Sequence, residues 1–271
     1  MKLCKLIKKR ILVGSILTLS IFCVGCSNNS SESTLDKDTL IVGIDDAFAP
    51  LGFKDESGEI TGFDIDLAKE LAKRLNKKII FQPIDWTMKE SELKSGNIDL
   101  IWNGYTITDE RKNKVDFSVP YLKNKQVIVT LADSNINSKS DLANKKVGAQ
   151  SESSAVAAME KEEDLYSSFN GGGAITFEDN NQALMDLEAG RLDAVVADEI
   201  LVRYYLSLKG EDKFKILEDN FGEEEYGVGI RKGDTGMVDA FNKAYKEMQE
   251  DGTLKEISEK WFNKDITIKI E

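Results

Sequence analysis

Three residues late in the first half could hold an anion, and one residue much later could hold a cation. Arg111 follows Thr106 by five positions and Gly104 by seven. A guanidinium is a planar fork of N–H donors that meets a carboxylate in two places at once. A hydroxyl at Thr106 and the backbone N–H of Gly104 would add donors beside it. Asp198 lies 94 positions after Gly104 and offers the reverse, a carboxylate that accepts from an ammonium. Donors facing an acceptor suit a zwitterion, and an α-amino acid is the commonest one.

Composition removes competing chemistries. The chain has no His, so Ser-His-Asp and Cys-His nucleophiles, His-rich zinc sites and imidazole proton shuttles are excluded. Its three Cys, at 4, 23 and 26, all stand near the N-terminus, which leaves no disulfide or thiolate metal site later in the chain. No metal and no cofactor is implied. The charge balance is acidic, 36 Lys and Arg against 48 Asp and Glu. That argues against a nucleic acid partner and against a basic face for membranes.

The elements that must position Arg111 and Asp198 are announced by a repeated phrase. Leu93-Lys-Ser-Gly-Asn-Ile-Asp-Leu-Ile-Trp-Asn-Gly104 returns as Leu187-Glu-Ala-Gly-Arg-Leu-Asp-Ala-Val-Val-Ala-Asp198. Each copy reads as a helix ending at a Gly able to take the left-handed C-cap conformation. An apolar run suited to a buried strand follows. In open α/β sheets, ligands bind outside the carboxyl ends of strands. Two copies therefore predict two similar lobes, each presenting one strand end to a shared cleft.

The rest of the pattern agrees. Strands are predicted over residues 40–44, 78–82 and 98–102, with helices over 64–75 and 87–95 and a loop rich in turn signals over 45–62. The alternation restarts near residue 141, with strands over 146–149, 174–177 and 192–196 and helices over 153–161 and 181–189. A long strand over 121–131 crosses between lobes, and residues 226–231 return. A helical tail over 237–262 packs back on the first lobe. The expected class is α/β, with lobe 1 over 39–123 plus 226–271 and lobe 2 over 124–225. Two crossings make a hinge that permits closure.

The N-terminus reads as an address. Lys2, Lys5, Lys8, Lys9 and Arg10 precede an apolar run over 11–24 that is short for a hydrocarbon core of ~30 Å. It ends in Val24-Gly25-Cys26, which resembles the lipobox of bacterial lipoproteins. Residues 1–25 then form a signal peptide, Cys26 carries the lipid, and residues 26–38 are a polar tether. Cys23 stands where Leu is usual; ordinary signal cleavage is the competing reading.

Val42-Gly-Ile-Asp45, Phe48-Ala-Pro50, Gly62-Phe-Asp-Ile-Asp-Leu67, Thr106-Ile-Thr-Asp-Glu-Arg111, Asp251-Gly-Thr253 and Lys260-Trp-Phe262 resemble family 3 extracellular solute-binding proteins. These serve polar amino acid importers of the ABC type. The resemblance implies a two-lobed type II periplasmic-binding-protein fold on a two-strand hinge. It assigns Arg111 to the ligand α-carboxylate, assisted by Thr106 and the Gly104 N–H, and Asp198 to the α-ammonium. Phe48 and Trp86 would sandwich the ligand side chain, with Asp45 meeting its far pole. In lobe 2 the family commonly has Gln-x-Gly-Ser/Thr, whereas this chain has Gln150-Ser-Glu152-Ser-Ser154. Glu152 is expected to point to solvent, with Gln150, Ser153 and Ser154 near the ligand.

Each assignment has a plainer alternative. Asp198 could merely cap the helix that starts at 199, and Phe48 and Trp86 could be core aromatics. Trp102 is read as core, Asn103 is grouped with the site on its position alone, and Glu223-Glu224-Glu225 is given no role. The implied function is capture of a polar, non-acidic amino acid by a monomeric, lipid-anchored receptor on the outer face of the cytoplasmic membrane, with a permease as partner. Two alternatives share the fold: a dehydratase-like enzyme, and a sensor module, which would need a transmembrane helix and output domain after Glu271.

Overall fold

The computed structural model describes residues 33–271. The signal peptide, Cys26 and the start of the tether lie outside them. The rest of the predicted tether is docked. Thr34 is buried, its N–H donates to Asp234 at 2.8 Å, and Ser33 Oγ donates to the same carboxylate at 2.8 Å.

Strand β1 (Thr39–Ile44) is followed by β2 (Ala47–Phe48), β3 (Gly52–Lys54) and β4 (Ile60–Thr61), a small antiparallel sheet where turn signals predict only loop. These strands are too short to carry a period of their own. Helix α1 (Phe63–Arg74) buries Ile65, Leu67, Ala68, Leu71 and Ala72 at helical spacing. Strand β5 (Lys78–Pro83) pairs in parallel with β1 along its length. A 3₁₀ turn at Trp86–Met88 leads to α2 (Lys89–Ser95), β6 (Leu100–Ile101), α3 (Asp109–Lys114) and β7 (Val115–Phe117).

Strand β8 (Leu122–Leu131) then enters a second sheet. It is followed by β9 (Val147–Gln150), α4 (Ser154–Glu160), α5 (Glu163–Ser167), β10 (Ile175–Phe177), α6 (Asn180–Glu188), β11 (Ala194–Asp198), α7 (Glu199–Lys209) and β12 (Phe214–Tyr226). Strand β13 (Gly229–Arg231) rejoins the first sheet, and α8 (Thr235–Glu250) and α9 (Thr253–Phe262) close the chain. The predicted single tail helix is broken at Gly252, whose φ of +87° ends one helix and starts the next.

The sheet orders are β5-β1-β6-β13-β7 and β10-β9-β11-β8-β12. This is a two-lobed type II fold, with the chain passing between sheets twice, after β7 and after β12. The return is longer than the sequence implies. Strand β12 runs antiparallel to β8 with register shifts between Ile216 and Asn220 and between Asn220 and Glu223. Acidic residues and a Gly at 222 disguise it; pairing with β8 imposes the extended form.

The repeated phrase is a structural repeat. Gly96 and Gly190 both take positive φ, 81° and 69°. Three positions on, Asp99 Oδ2 accepts the Ile41 N–H at 3.0 Å and Asp193 Oδ2 accepts the Lys146 N–H at 2.7 Å. Each Asp thus ties its own strand to the neighbouring parallel strand, so β6 and β11 run out at comparable places, with Gly104 just beyond β6 and Asp198 at the last position of β11. Trp102 is core, packed edge-on against Phe241 at 5.1 Å and Tyr121 at 6.2 Å.

Candidate functional site

Arg111 lies in the first turn of α3, which Thr108 caps by accepting the Arg111 N–H at 3.1 Å. The residue is only 7% exposed. Nη1 donates to the Thr106 carbonyl at 3.0 Å, and the guanidinium stacks 4.5 Å from the Tyr105 ring centroid. Nη2 reaches the other lobe, donating to the Glu152 carbonyl at 3.3 Å. Lys89, at the start of α2, donates to the same carbonyl at 3.1 Å and to the Trp86 carbonyl at 3.0 Å. It is 2% exposed. Burial, then the nearby Arg111 charge, pull its ammonium down to about 8. Two cations therefore converge on one side of the cleft, beside a cavity of about 130 Å³ lined also by Ser153 and Ser154.

Glu152 is the lobe-2 half of that contact. Its side chain is exposed, as expected, and its backbone is left-handed, φ 55°. Ser153 caps α4, its Oγ accepting the Val156 N–H at 3.4 Å. Ser154 Oγ lies 3.0 Å from Thr106 Oγ1, a direct link between lobes.

Asp198 ends β11 and is 4% exposed. It does not cap α7 with its side chain. Instead Oδ1 accepts from Asn124 Nδ2 at 2.6 Å, Gln126 Nε2 at 3.0 Å and Tyr226 Oη at 2.5 Å. Burial, and then the charge of Glu224, push its carboxyl well above the ordinary range. Glu224 Oε1 accepts from Asn124 at 2.7 Å, Gln126 at 2.8 Å and Thr106 at 3.0 Å.

Asp45 follows β1 and is buried. Oδ2 accepts from Gln150 Nε2 in lobe 2 at 2.7 Å, and Oδ1 from the Ala47 N–H at 3.0 Å. Gln150 is itself fixed by Asn180, which donates to Oε1 at 3.0 Å. Burial raises Asp45 to about 6. Its neighbour Asp46 points away and pairs with Lys54.

Four further residues diverge from this seam or stand apart on it. Asn103 turns its amide toward Gly52 in β3, donating to that carbonyl at 3.5 Å, so it packs within the first lobe. The Gly104 N–H donates to the buried Asp64 carboxylate at 2.9 Å, so it is already engaged within the first lobe. Gly104 has φ +58°, and an added Cβ would sit 3.0 Å from Phe48. Phe48 and Trp86 are both buried but in separate clusters, Phe48 against Gly104 and Trp86 edge-on to Tyr105 at 6.0 Å.

Sequence reasoning missed Lys89 and Glu224. Nothing in the Lys89 neighbourhood marks it as buried. Glu224 had a signal: in a strand, successive side chains alternate faces, so the middle of three Glu must face opposite to the other two.

Comparison with known proteins fits this geometry. The pattern of the bacterial extracellular solute-binding proteins, family 3, matches residues 40–264. The L-cystine-binding protein TcyJ of Escherichia coli K12 is 36% identical over 234 residues, covering 86% of this chain and 85% of TcyJ. The arginine-binding extracellular protein ArtP of Bacillus subtilis is 34% identical over 255 residues, covering 93% of this chain and 96% of ArtP. An ABC uptake transporter substrate-binding protein from Streptococcus pneumoniae, solved with bound histidine, superposes with a TM-score of 0.84 at 39% identity, covering 87% of this chain and 96% of that one.

Proposed function

Because the chain belongs to the bacterial extracellular solute-binding proteins of family 3, we propose that it captures a polar, non-acidic α-amino acid between its lobes for an ABC importer. One observation carries this reading: Arg111 in the first turn of α3 and Asp198 at the last position of β11 are both buried, one from each lobe. Buried charges of opposite sign on facing walls suit a zwitterion that satisfies both. Arg111 takes the α-carboxylate, with the Thr106 and Ser154 hydroxyls beside it. Asp198 takes the α-ammonium. Phe48 and Trp86 flank the side chain, and Asp45 with Gln150 meets its far end.

A carboxylate at Asp45 favours side chains that donate or carry positive charge and repels Asp and Glu. Relatives that bind arginine, cystine and histidine by name are consistent with that, and we place basic amino acids slightly ahead. The lobes, 39–123 plus 226–271 and 124–225, close on the ligand, and the closed monomer docks on permease subunits. Cys26 anchors the protein to the outer face of the membrane, and loss of membrane partitioning in Cys26→Ala tests that step. The mechanism is capture without chemical turnover.

A thermal-shift screen of the twenty amino acids with ornithine and cystine tests the function, since binding to the folded state raises stability by mass action. Stabilisation by one or more polar, non-acidic amino acids is expected. Stabilisation by none, or by glutamate and aspartate alone, would overturn the reading.

A further inference from the structure

Two carboxylates lie on the cleft floor where the proposed clamp needs one. On β8, Asn124 and Gln126 are two residues apart and so face the same way. The register sets Gln126 opposite Asp198 on β11 and Asn124 opposite Glu224 on β12. Each amide nitrogen is shared between the same two oxygens, Asp198 Oδ1 and Glu224 Oε1, at 2.6–3.0 Å. The two acids are thus drawn side by side.

The described residues supply no cation to this pair. Among the described residues, neither Asp198 nor Glu224 forms an ion pair with Lys or Arg. The cations nearest in sequence, Lys123 and Lys125, alternate to the opposite face of β8, where Lys125 pairs with Glu223 at 3.3 Å. Lys123, Lys125, Glu199, Glu223 and Glu225 line one pocket with Asn124 and Glu224, where the acids outnumber the two lysines. The remaining neighbours, Thr106, Ser154 and Tyr226, are hydroxyls.

A second observation points to a ligand. Asn124 and Gln126 are 4% and 1% exposed, yet Asn124 Oδ1 and Gln126 Oε1 have no hydrogen-bond partner. The amide nitrogens must face the carboxylates, which fixes these oxygens as acceptors. Buried acceptors without donors are rare in native folds and call for one.

We infer that Asp198 and Glu224 together form a two-carboxylate seat for the ligand's α-ammonium, completed by the orphaned amide oxygens of Asn124 and Gln126. This rests on the zwitterion reading and adds Glu224 as a specificity residue. An ammonium has three donors, and this floor offers at least that many acceptors. The cation relieves the repulsion between the acids. Glu224 exchanges its contact with Thr106 for the ligand ammonium, which frees that hydroxyl for the ligand carboxylate.

The test measures Kd by calorimetry for wild type, Glu224→Gln and Asp198→Asn. The probes are L-arginine, L-histidine and L-glutamine, each with its des-amino analogue: 5-guanidinopentanoate, 3-(imidazol-4-yl)propanoate and glutaramate. Wild type should prefer each amino acid it binds over its analogue, and Glu224→Gln should shrink that preference by roughly tenfold or more. A Glu224 that merely props up the fold would weaken amino acid and analogue equally and leave the preference intact. One that only competes for the hydroxyls would, when changed, tighten both. Either result overturns the inference while leaving the clamp standing. Failure of wild type to bind any of the twenty amino acids, ornithine or cystine would overturn the clamp and this inference together.

Discussion

Arg111→Ala puts the most weight on the proposed clamp. The guanidinium donates to two carbonyls, at 3.0 and 3.3 Å, and stacks on Tyr105. Without ligand, its loss leaves the Thr106 carbonyl unpaired while Lys89 still serves Glu152. That should cost about 1–2 kcal/mol of stability, a fall in Tm of about 2–8 °C for a domain of this size. With ligand the loss is larger, because a carboxylate is left in a closed cleft without its cation. Truncating one partner of such a pair costs about 2–5 kcal/mol, which is roughly 30-fold to several thousandfold in Kd. Arg111→Lys should fall between, since an ammonium keeps the charge but loses the fork. Calorimetry with the amino acid that wild type binds measures the affinity, and thermal unfolding measures the rest. An unchanged Kd in a folded Arg111→Ala protein would refute the reasoning.

Asp64 should make stability fall with pH. It is fully buried under Gly104 and Tyr121, and burial raises it from 3.8 to about 7. Between those values the folded state holds a proton that the unfolded state has released, so stability is lost as pH rises through the window and is level above it. The full swing is on the order of 4 kcal/mol. Asp64→Asn cannot titrate, so its Tm should gain on wild type from pH 4 to pH 8; parallel curves would refute this. Asp45→Asn keeps the acceptor for Gln150 but removes the charge, and should raise affinity for glutamate relative to glutamine; an unchanged ratio in calorimetry would remove Asp45 from the selectivity. Glu152→Gly should leave Kd unchanged because the side chain is exposed; a markedly tighter Kd would show that Glu152 repels the ligand.

The lobes were legible because the signal was written twice. A Gly that ends a helix, an Asp three positions later and an apolar strand recur with the same local roles, so one inference checks the other. The small sheet β2–β4 and the length of β12 were hidden for a different reason. Neither has a period of its own: β2 and β4 are two residues each, and β12 mixes acids with Gly222. Their conformation comes from partners distant in sequence, β8 above all, and tertiary pairing overrides weak β-propensity.

The site was legible where a side chain's type names its partner and obscure where backbone direction decides. Arg111, Asp198 and Asp45 could be singled out from type and position, and all three are buried among polar partners; their ligand roles are the proposal. The Gly104 N–H could not, because its direction depends on Asp64, forty residues earlier in sequence. Glu152 shows both halves of the problem. A side chain in the left-handed region costs about 1–2 kcal/mol, which is why a Gly is the easier choice there. The same twist is found where the Glu152 carbonyl meets Arg111 and Lys89 from the other lobe. Hydrogen bonds to charged donors contribute about 1.5–3 kcal/mol, enough for one of the two to offset the strain. The unusual residue is therefore tolerated where its carbonyl meets Arg111 and Lys89.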